Sequence, residues 1–216
     1  MPVPIILSSP SGGGKTTIAH RLLIARRDCG YSVSCTTRAP RPGEKEGEDY
    51  YFISRDEFKR RQKAGAFAES ATVHGHLYGT LRSEVERVMA SGQNVIMDID
   101  VQGTRQFIKA FPDSLLIFVL PPSSEAMLER LKARATEDRN ALVRRFESAK
   151  EELKAIDLYR YVVVNDDLET AVTAVSDIVD GKGDRFQGSR SPGLDRRVKE
   201  LVEGIQRAIG QYSKRK

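Results

Sequence analysis

Along the chain, short runs of consecutive apolar residues alternate with longer stretches in which apolar positions recur every three or four residues. The runs lie at Val3 to Leu7, Tyr31 to Ser34, Asn94 to Ile99, Leu115 to Leu120 and Tyr161 to Val164. Each is bounded by turn residues and is short for a helix, so each predicts a buried strand. Helical spacing appears over Thr16 to Arg27, with Ile18, Leu22 and Leu23 on one face, and over Arg82 to Ser91, Thr104 to Phe111, Ser124 to Ala135 and Ala141 to Leu158. Unbroken apolar strands are buried on both faces, and parallel neighbours need a crossover long enough to hold a helix. The pattern therefore predicts an α/β protein with a parallel sheet covered by helices.

Three stretches depart from this alternation. Thr36 to Thr80 is rich in Arg, Gly and Tyr, with weak helical patterning, and reads as an insertion rather than core. Arg130 to Arg145 is polar and arginine-bearing. Residues 181–193, GKGDRFQGSRSPG, form a linker ending in Ser191-Pro192, a helix cap with proline in the first turn. Leu194, Val198, Leu201, Val202, Ile205 and Ile209 then mark an amphipathic helix whose apolar stripe packs either on its own domain or on a second subunit.

Composition changes the picture only at the margins. A chain of 216 residues with 39% hydrophobic and 30% charged positions can bury about 70% of its unfolded surface, which excludes a disordered chain or a disulfide-stapled miniprotein. Cys29 and Cys35 have neither zinc-type spacing nor histidine company and read as free thiols. The net charge is +5, but residues 182–216 hold ten Lys/Arg against four Asp/Glu, leaving 25 against 26 elsewhere. The body thus lacks the basic face of a duplex-binding protein, and no nucleic-acid partner is expected, although the basic tail is the place to test RNA affinity. No apolar run reaches membrane-spanning length and the N-terminus lacks signal-peptide features, so a cytoplasmic location and no membrane partner are expected.

The first apolar run leads into Ser9-Pro10-Ser11-Gly12-Gly13-Gly14-Lys15-Thr16 and then a helical pattern, the context in which a GxxxxGK(S/T) loop binds phosphate. Glycines let backbone N–H groups converge on phosphate oxygens, and the helix N-terminus adds its positive dipole end. Ser11, Gly12, Gly13, Gly14, Lys15, Thr16 and Thr17 are the candidate ATP-binding residues, with Lys15 charge-stabilising the β/γ-phosphates and Thr16 a ligand for Mg²⁺. Ser9 stands where glycine is usual. The loop alone names only a superfamily. In the insertion, Arg38 and Arg41 are held near each other by proline turns, with Tyr50 and Tyr78 nearby in the pattern, a set suited to gripping a phosphomonoester.

The run Ser32-Val33-Ser34-Cys35-Thr36-Thr37-Arg38-Ala39-Pro40-Arg41-Pro42-Gly43-Glu44, the triplet Tyr78-Gly79-Thr80 and the stretch Asp98-Ile99-Asp100-Val101-Gln102-Gly103 closely resemble guanylate kinases over about residues 3–181. The resemblance implies a P-loop nucleoside-monophosphate kinase fold: a core of residues 1–33 and 81–181, a GMP-binding insertion at 34–80 and a lid at about 124–148. Residues 182–216, the linker and C-terminal helix, lie beyond it. It implies transfer of the γ-phosphoryl group of ATP to GMP, and to its deoxy counterpart, with Mg²⁺ as cofactor. It places Ser34, Glu69 and Asp100 on the guanine base, Arg38, Arg41, Tyr50 and Tyr78 on the GMP phosphate, and Thr80 where many members have serine. Arg130, Arg134 and Arg145 resemble arginines reaching the ATP phosphates and transferred group, and Asn165 a residue near adenine.

The chemistry is independently sensible. Guanine offers N1–H and N2–H₂ as donors, so the Glu69 carboxylate can accept both, whereas adenine presents an acceptor there. Asp98, closing its predicted strand, is placed to orient metal-bound water. No general base is needed, because the attacking phosphate oxygen is already anionic, and His74 and His76 read as loop residues. Two rivals stay open at this point: a kinase of this fold acting on another phosphorylated acceptor, and a protein-binding module of the same shape without chemistry.

Overall fold

A computed structural model describes residues 1–73, 75–134, 139–187 and 192–214, the side chains of Arg134, Pro192 and Lys214 excepted. The chain divides into two compact units, residues 1–6 with 23–115 and residues 7–22 with 116–216. The main sheet is five-stranded, built from β1 (Pro4–Ser8), β2 (Cys29–Tyr31), β7 (Asn94–Asp98), β8 (Leu115–Leu120) and β9 (Tyr161–Val164) in the order β2-β7-β1-β8-β9. β2 runs parallel to β7, with Cys29 opposite Asn94, and β8 parallel to β9, with Ile117 opposite Tyr161. All five residues of β1 are buried, as an apolar strand covered on both faces requires.

In the first unit, the strand expected at Tyr31 to Ser34 is divided between two sheets. β2 ends at Tyr31, and after Ser32, whose amide still reaches the Ile96 carbonyl, the chain turns off into β3 (Cys35–Thr36). With β4 (Tyr51–Phe52), β5 (Phe67–Val73) and β6 (His76–Leu81), β3 forms a second sheet in the order β4-β3-β6-β5. Contrary to the sequence expectation, this stretch has a small core of its own. Cys35, Phe58 and Phe67 are buried together, and the Phe58 and Phe67 rings stack at 4.4 Å. Phe58 comes from α2 (Arg55–Lys63), a helix that was not expected and that begins with a serine N-cap: Ser54 Oγ accepts from the Glu57 amide. His76 opens β6 instead of lying in a loop, because its strand pairs with Val73; His74 lies outside the described residues.

α3 (Arg82–Ala90) and α4 (Val101–Ala110) complete this unit. α4 starts three residues earlier than its apolar spacing indicates, since Asp100 caps it and accepts from the Gly103 amide at 2.7 Å. Gln106 on α4 pairs with both main-chain groups of Ser70 on β5, satisfying part of an edge that would otherwise be open.

The second unit contains α1 (Lys15–Ala25, as far as Leu22), β8, β9, α5 (Ser124–Arg134), α6 (Arg139–Leu153) and α7 (Leu168–Val179). α6 stops at Leu153, short of the expected Leu158, and a single 3₁₀ turn covers Ile156–Leu158. α7 is not among the expected helices, although Asp167 caps it and Ala171, Val172, Ala174, Val175 and Ile178 form its buried face. α8 (Pro192–Lys214) is the anticipated C-terminal helix; its predicted cap, Ser191, lies outside the described residues.

The centre of the apolar stripe of α8 is covered within its own chain, while Leu194, Val198, Val202 and Ile209 stay half-buried. Leu201, Ile205 and Ala208 are buried, and α8 packs on both α5 and α6. A Cβ at Gly204 would collide with the Ser124 side chain, so glycine permits this close crossing. Phe146 meets Tyr212 edge-on at 5.7 Å, and Lys132 lies 5.5 Å from the same tyrosine ring.

Candidate active site

Functional side chains cluster separately in the two units. In the second, β1 delivers the chain into the glycine loop and α1 begins at Lys15. Gly12 and Gly14 adopt φ of 87° and 95°, the left-handed region that a side chain disfavours. Gly13 is required for a different reason: a Cβ there would lie 2.6 Å from the Ser9 Cβ. Ser9 is itself buried, so the serine in the first loop position occupies the space a side chain at position 13 would need. The Gly13 amide donates to the Pro10 carbonyl at 2.8 Å, tightening the turn.

Residues distant in sequence brace this loop. Buried Asn165 follows β9 and donates through Nδ2 to the Gly13 carbonyl at 3.1 Å, while its own amide donates to the Leu120 carbonyl. Arg130, on α5, donates to the Gly12 carbonyl at 3.3 Å. The Ser11 amide is engaged by Glu152 Oε2 at 2.8 Å. Arg145 sits half-buried on α6, and Arg134 ends α5 with its side chain outside the described residues. Asn165, expected near adenine, and Arg130, expected on the ATP phosphates, both bond carbonyls of the loop, while Glu152 was missed; nothing local marks a carboxylate 141 positions away as its partner.

In the first unit, Glu69 is a buried carboxylate on β5. Thr80 on β6 donates to its Oε1 at 2.7 Å, and the Thr80 hydroxyl lies 3.3 Å from Ser34 Oγ. Burial pushes the Glu69 carboxyl up to about 7; the Thr80 hydrogen bond opposes the rise and the nearby Asp100 carboxylate adds to it. Gly103 faces the other carboxylate oxygen: a Cβ there would stand 2.7 Å from Glu69 Oε2. That glycine, in the stretch after Asp100, is a neighbour of Glu69 that its place in a helix concealed.

Around Arg38 a second cluster forms. Its Nε donates to the Tyr78 hydroxyl at 3.2 Å and its Nη2 to Glu44 Oε1 at 2.8 Å. The Tyr50 and Tyr78 rings meet edge-on at 5.8 Å, and the Arg38 guanidinium lies 5.6 Å from the Tyr50 centroid. Burial raises the Tyr50 hydroxyl to about 12, so it stays a protonated donor at neutral pH. Glu44 also accepts from the Arg41 amide at 2.7 Å, which ties both arginines to one turn; the Arg41 side chain itself is exposed. Tyr31 donates to Asp98 Oδ1 at 3.0 Å, and burial together with that carboxylate raises the tyrosine's pKa.

The guanylate kinase family model matches residues 1–182. The chain belongs to the guanylate kinase family. Among curated relatives, the guanylate kinase of Symbiobacterium thermophilum is 48% identical over 175 residues, covering 81% of this chain and 83% of that protein. The guanylate kinase of Thermotoga maritima is 43% identical over 199 residues, covering 92% and 95%. The crystal structure of guanylate kinase from Anaplasma phagocytophilum superposes with a TM-score of 0.68 at 35% identity, covering 92% of this chain and 94% of that one. The activity is therefore that of a guanylate kinase, an ATP:GMP phosphotransferase. Among the described residues no helix is long and apolar enough to cross a membrane.

Proposed function

We propose that the two side-chain clusters divide the substrates of this guanylate kinase between them, the glycine loop taking ATP and the Glu69 pocket taking GMP. The observation that carries the second half is a buried carboxylate with one oxygen occupied by a threonine hydroxyl and a neighbouring carboxylate 31 positions further along the chain. Beyond the Thr80 donors such a group can accept further ones, and guanine supplies them through N1–H and N2–H₂. Adenine supplies an acceptor at that edge, so the pocket penalises it by leaving the carboxylate unpaired. Ser34 and Thr80 hold Glu69 in place, and Asp100 supplies a second acceptor. Arg38, Tyr50 and Tyr78, with Arg41, take the GMP phosphate.

On the ATP side, the amides of Gly12 and of Gly14 to Thr17 and the Lys15 ammonium receive the phosphates, the Gly13 amide being held by the Pro10 carbonyl, with Asn165 and Arg130 fixing the loop that presents them. Ser11 contributes as part of the loop frame, its amide being engaged by Glu152. The Thr16 hydroxyl is a hard oxygen donor that would ligate directly, and the Asp98 carboxylate one that would act through water; no group of three or more His, Cys, Asp or Glu suited to a metal exists among the described residues. Donors of this kind suit Mg²⁺, which keeps most of its waters and enters with nucleotide phosphates. When bound, Mg²⁺ neutralises charge on the phosphates. Tyr31 holds Asp98 in position for this.

A GMP phosphate oxygen forms the new bond to the γ-phosphorus as the bond to the β,γ-bridging oxygen breaks. The protein supplies alignment and positive charge, from Lys15, Arg130, Arg134 and Arg145. A panel of monophosphates tests the reading: GMP and dGMP are used and AMP is not. Equal rates with AMP and GMP would remove Glu69 from its proposed role.

A further inference from the structure

We infer that Glu152 is a positioning residue for phosphoryl transfer, fixing the helix that carries Arg145 against the glycine loop. Glu152 occupies the last turn of α6, and its Oε2 accepts from the Ser11 amide at 2.8 Å. A carboxylate this close to a loop built for phosphates opposes the charge of the incoming nucleotide, so its presence calls for a compensating role. A charge-assisted bond to a main-chain amide is strong and directional, and it grips the loop without any change in the loop's own sequence.

Helix geometry supplies that role. Arg145 and Glu152 are seven residues apart, which brings them to the same side of α6 about 10 Å apart along the axis. Ala149, between them at helical spacing, is fully buried, and its small side chain keeps that side of the helix low. Phe146 and Leu153, also fully buried, seat the same helix in the core. Packing of this kind fixes depth but resists sliding and rotation weakly, because apolar contact is non-directional. The Glu152 bond to Ser11 is directional. It sets the register of α6 on the loop, and with it where the Arg145 guanidinium stands relative to the phosphates. Lys15 and Thr16 need no such device, since they are part of the loop they serve.

This inference rests on the ATP assignment above, and the experiment separates the two. Glu152→Ala, Glu152→Asp and Glu152→Gln are made in the full chain and assayed by initial rates with ATP and GMP varied in turn, beside Lys15→Ala. Loss of the acceptor in Glu152→Ala is expected to lower kcat and raise the KM for ATP, for a combined loss of roughly ten- to a hundredfold in kcat/KM, as small misplacements of a catalytic group do. The KM for GMP should stay within about twofold, because no new contact to the Glu69 pocket is involved. Glu152→Gln, whose amide oxygen still accepts, should recover most of the rate, and Glu152→Asp, one methylene shorter, should fall between. If Glu152→Ala folds poorly, the Asp and Gln pair carries the test. Wild-type kcat/KM for ATP in the Ala or Asp variant overturns the inference, as does equal impairment of the Asp and Gln variants on both substrates with a lowered melting temperature. Full activity in Lys15→Ala would instead overturn the ATP assignment itself.

Discussion

The glycine loop and the Glu69 cluster, proposed above for ATP and GMP, are built by opposite means. The glycine loop is a main-chain structure: two glycines in left-handed conformation, a third crowded against Ser9, and carbonyls held by Asn165 and Arg130. The Glu69 cluster is a side-chain structure, a relay from Ser34 to Thr80 to Glu69 with Asp100 and Gly103 alongside. Main-chain donors bind any phosphate of the right shape and tell bases apart poorly. Side-chain groups at fixed positions read a base edge, at the cost of burying a carboxylate.

That contrast is open to measurement, and Lys15→Ala tests it most severely. Removing the one side-chain charge of the phosphate loop should cost about 10³-fold in turnover while circular dichroism and GMP affinity persist. Glu69→Gln keeps shape and replaces an acceptor by a donor, and should raise the KM for GMP about a hundredfold with the KM for ATP unchanged. A comparable rise in both would show that the two clusters are not independent.

Next comes pH. Burial pushes the Glu69 carboxyl up to about 7, so below that pH the free protein favours the neutral form. Guanine needs the carboxylate. The KM for GMP should therefore rise by about tenfold per unit as pH falls below 7, and that slope should vanish in Glu69→Gln. Stability runs the other way. The contribution of neutral Glu69 is complete below the unfolded carboxyl's pKa and is lost as pH rises through about 7, so ligand-free Glu69→Gln should gain melting temperature over wild type at pH 8 and little at pH 5.

A milder test addresses the main-chain side alone. Gly13→Ala should lower kcat/KM for ATP by about tenfold through collision with Ser9, and adding Ser9→Gly should restore it. Gly13→Ala at full activity would mean that the loop yields there. The smallest effect on catalysis belongs to Ile205→Ala on α8. It should cost about 3 kcal/mol in stability, read by urea unfolding, while both KM values hold and the solution mass is unchanged.

Legibility in the sequence followed the same division. β1, β8, β9 and the glycine loop could be read because their signals are local: an apolar run, then glycines at fixed spacing, then Lys-Thr. The pocket around Glu69 could not be derived so directly. β3 and β4 are two residues each, too short for alternation to register, and the contact of Gly103 with Glu69 exists only once α4 lies against β5. Its residues were reached through the family resemblance. Two helices were missed although their caps are written in the chain, Ser54 with Glu57 for α2 and Asp167 with Thr170 for α7. In α2 the face is so charged that Phe58 alone is buried, leaving no stripe to detect. Glu152 and Ser11, like Arg197 of α8 reaching Asp166, are partners that only the folded chain introduces.

Asp100 stands beside the Glu69 carboxylate and also caps α4. On the proposed reading, an engineer seeking an adenine acceptor can exchange Glu69 freely, whereas a change at Asp100 that removes the cap of α4 costs about 1 kcal/mol of stability. A library randomising both should therefore return variants diverse at position 69 and restricted to capping residues at position 100.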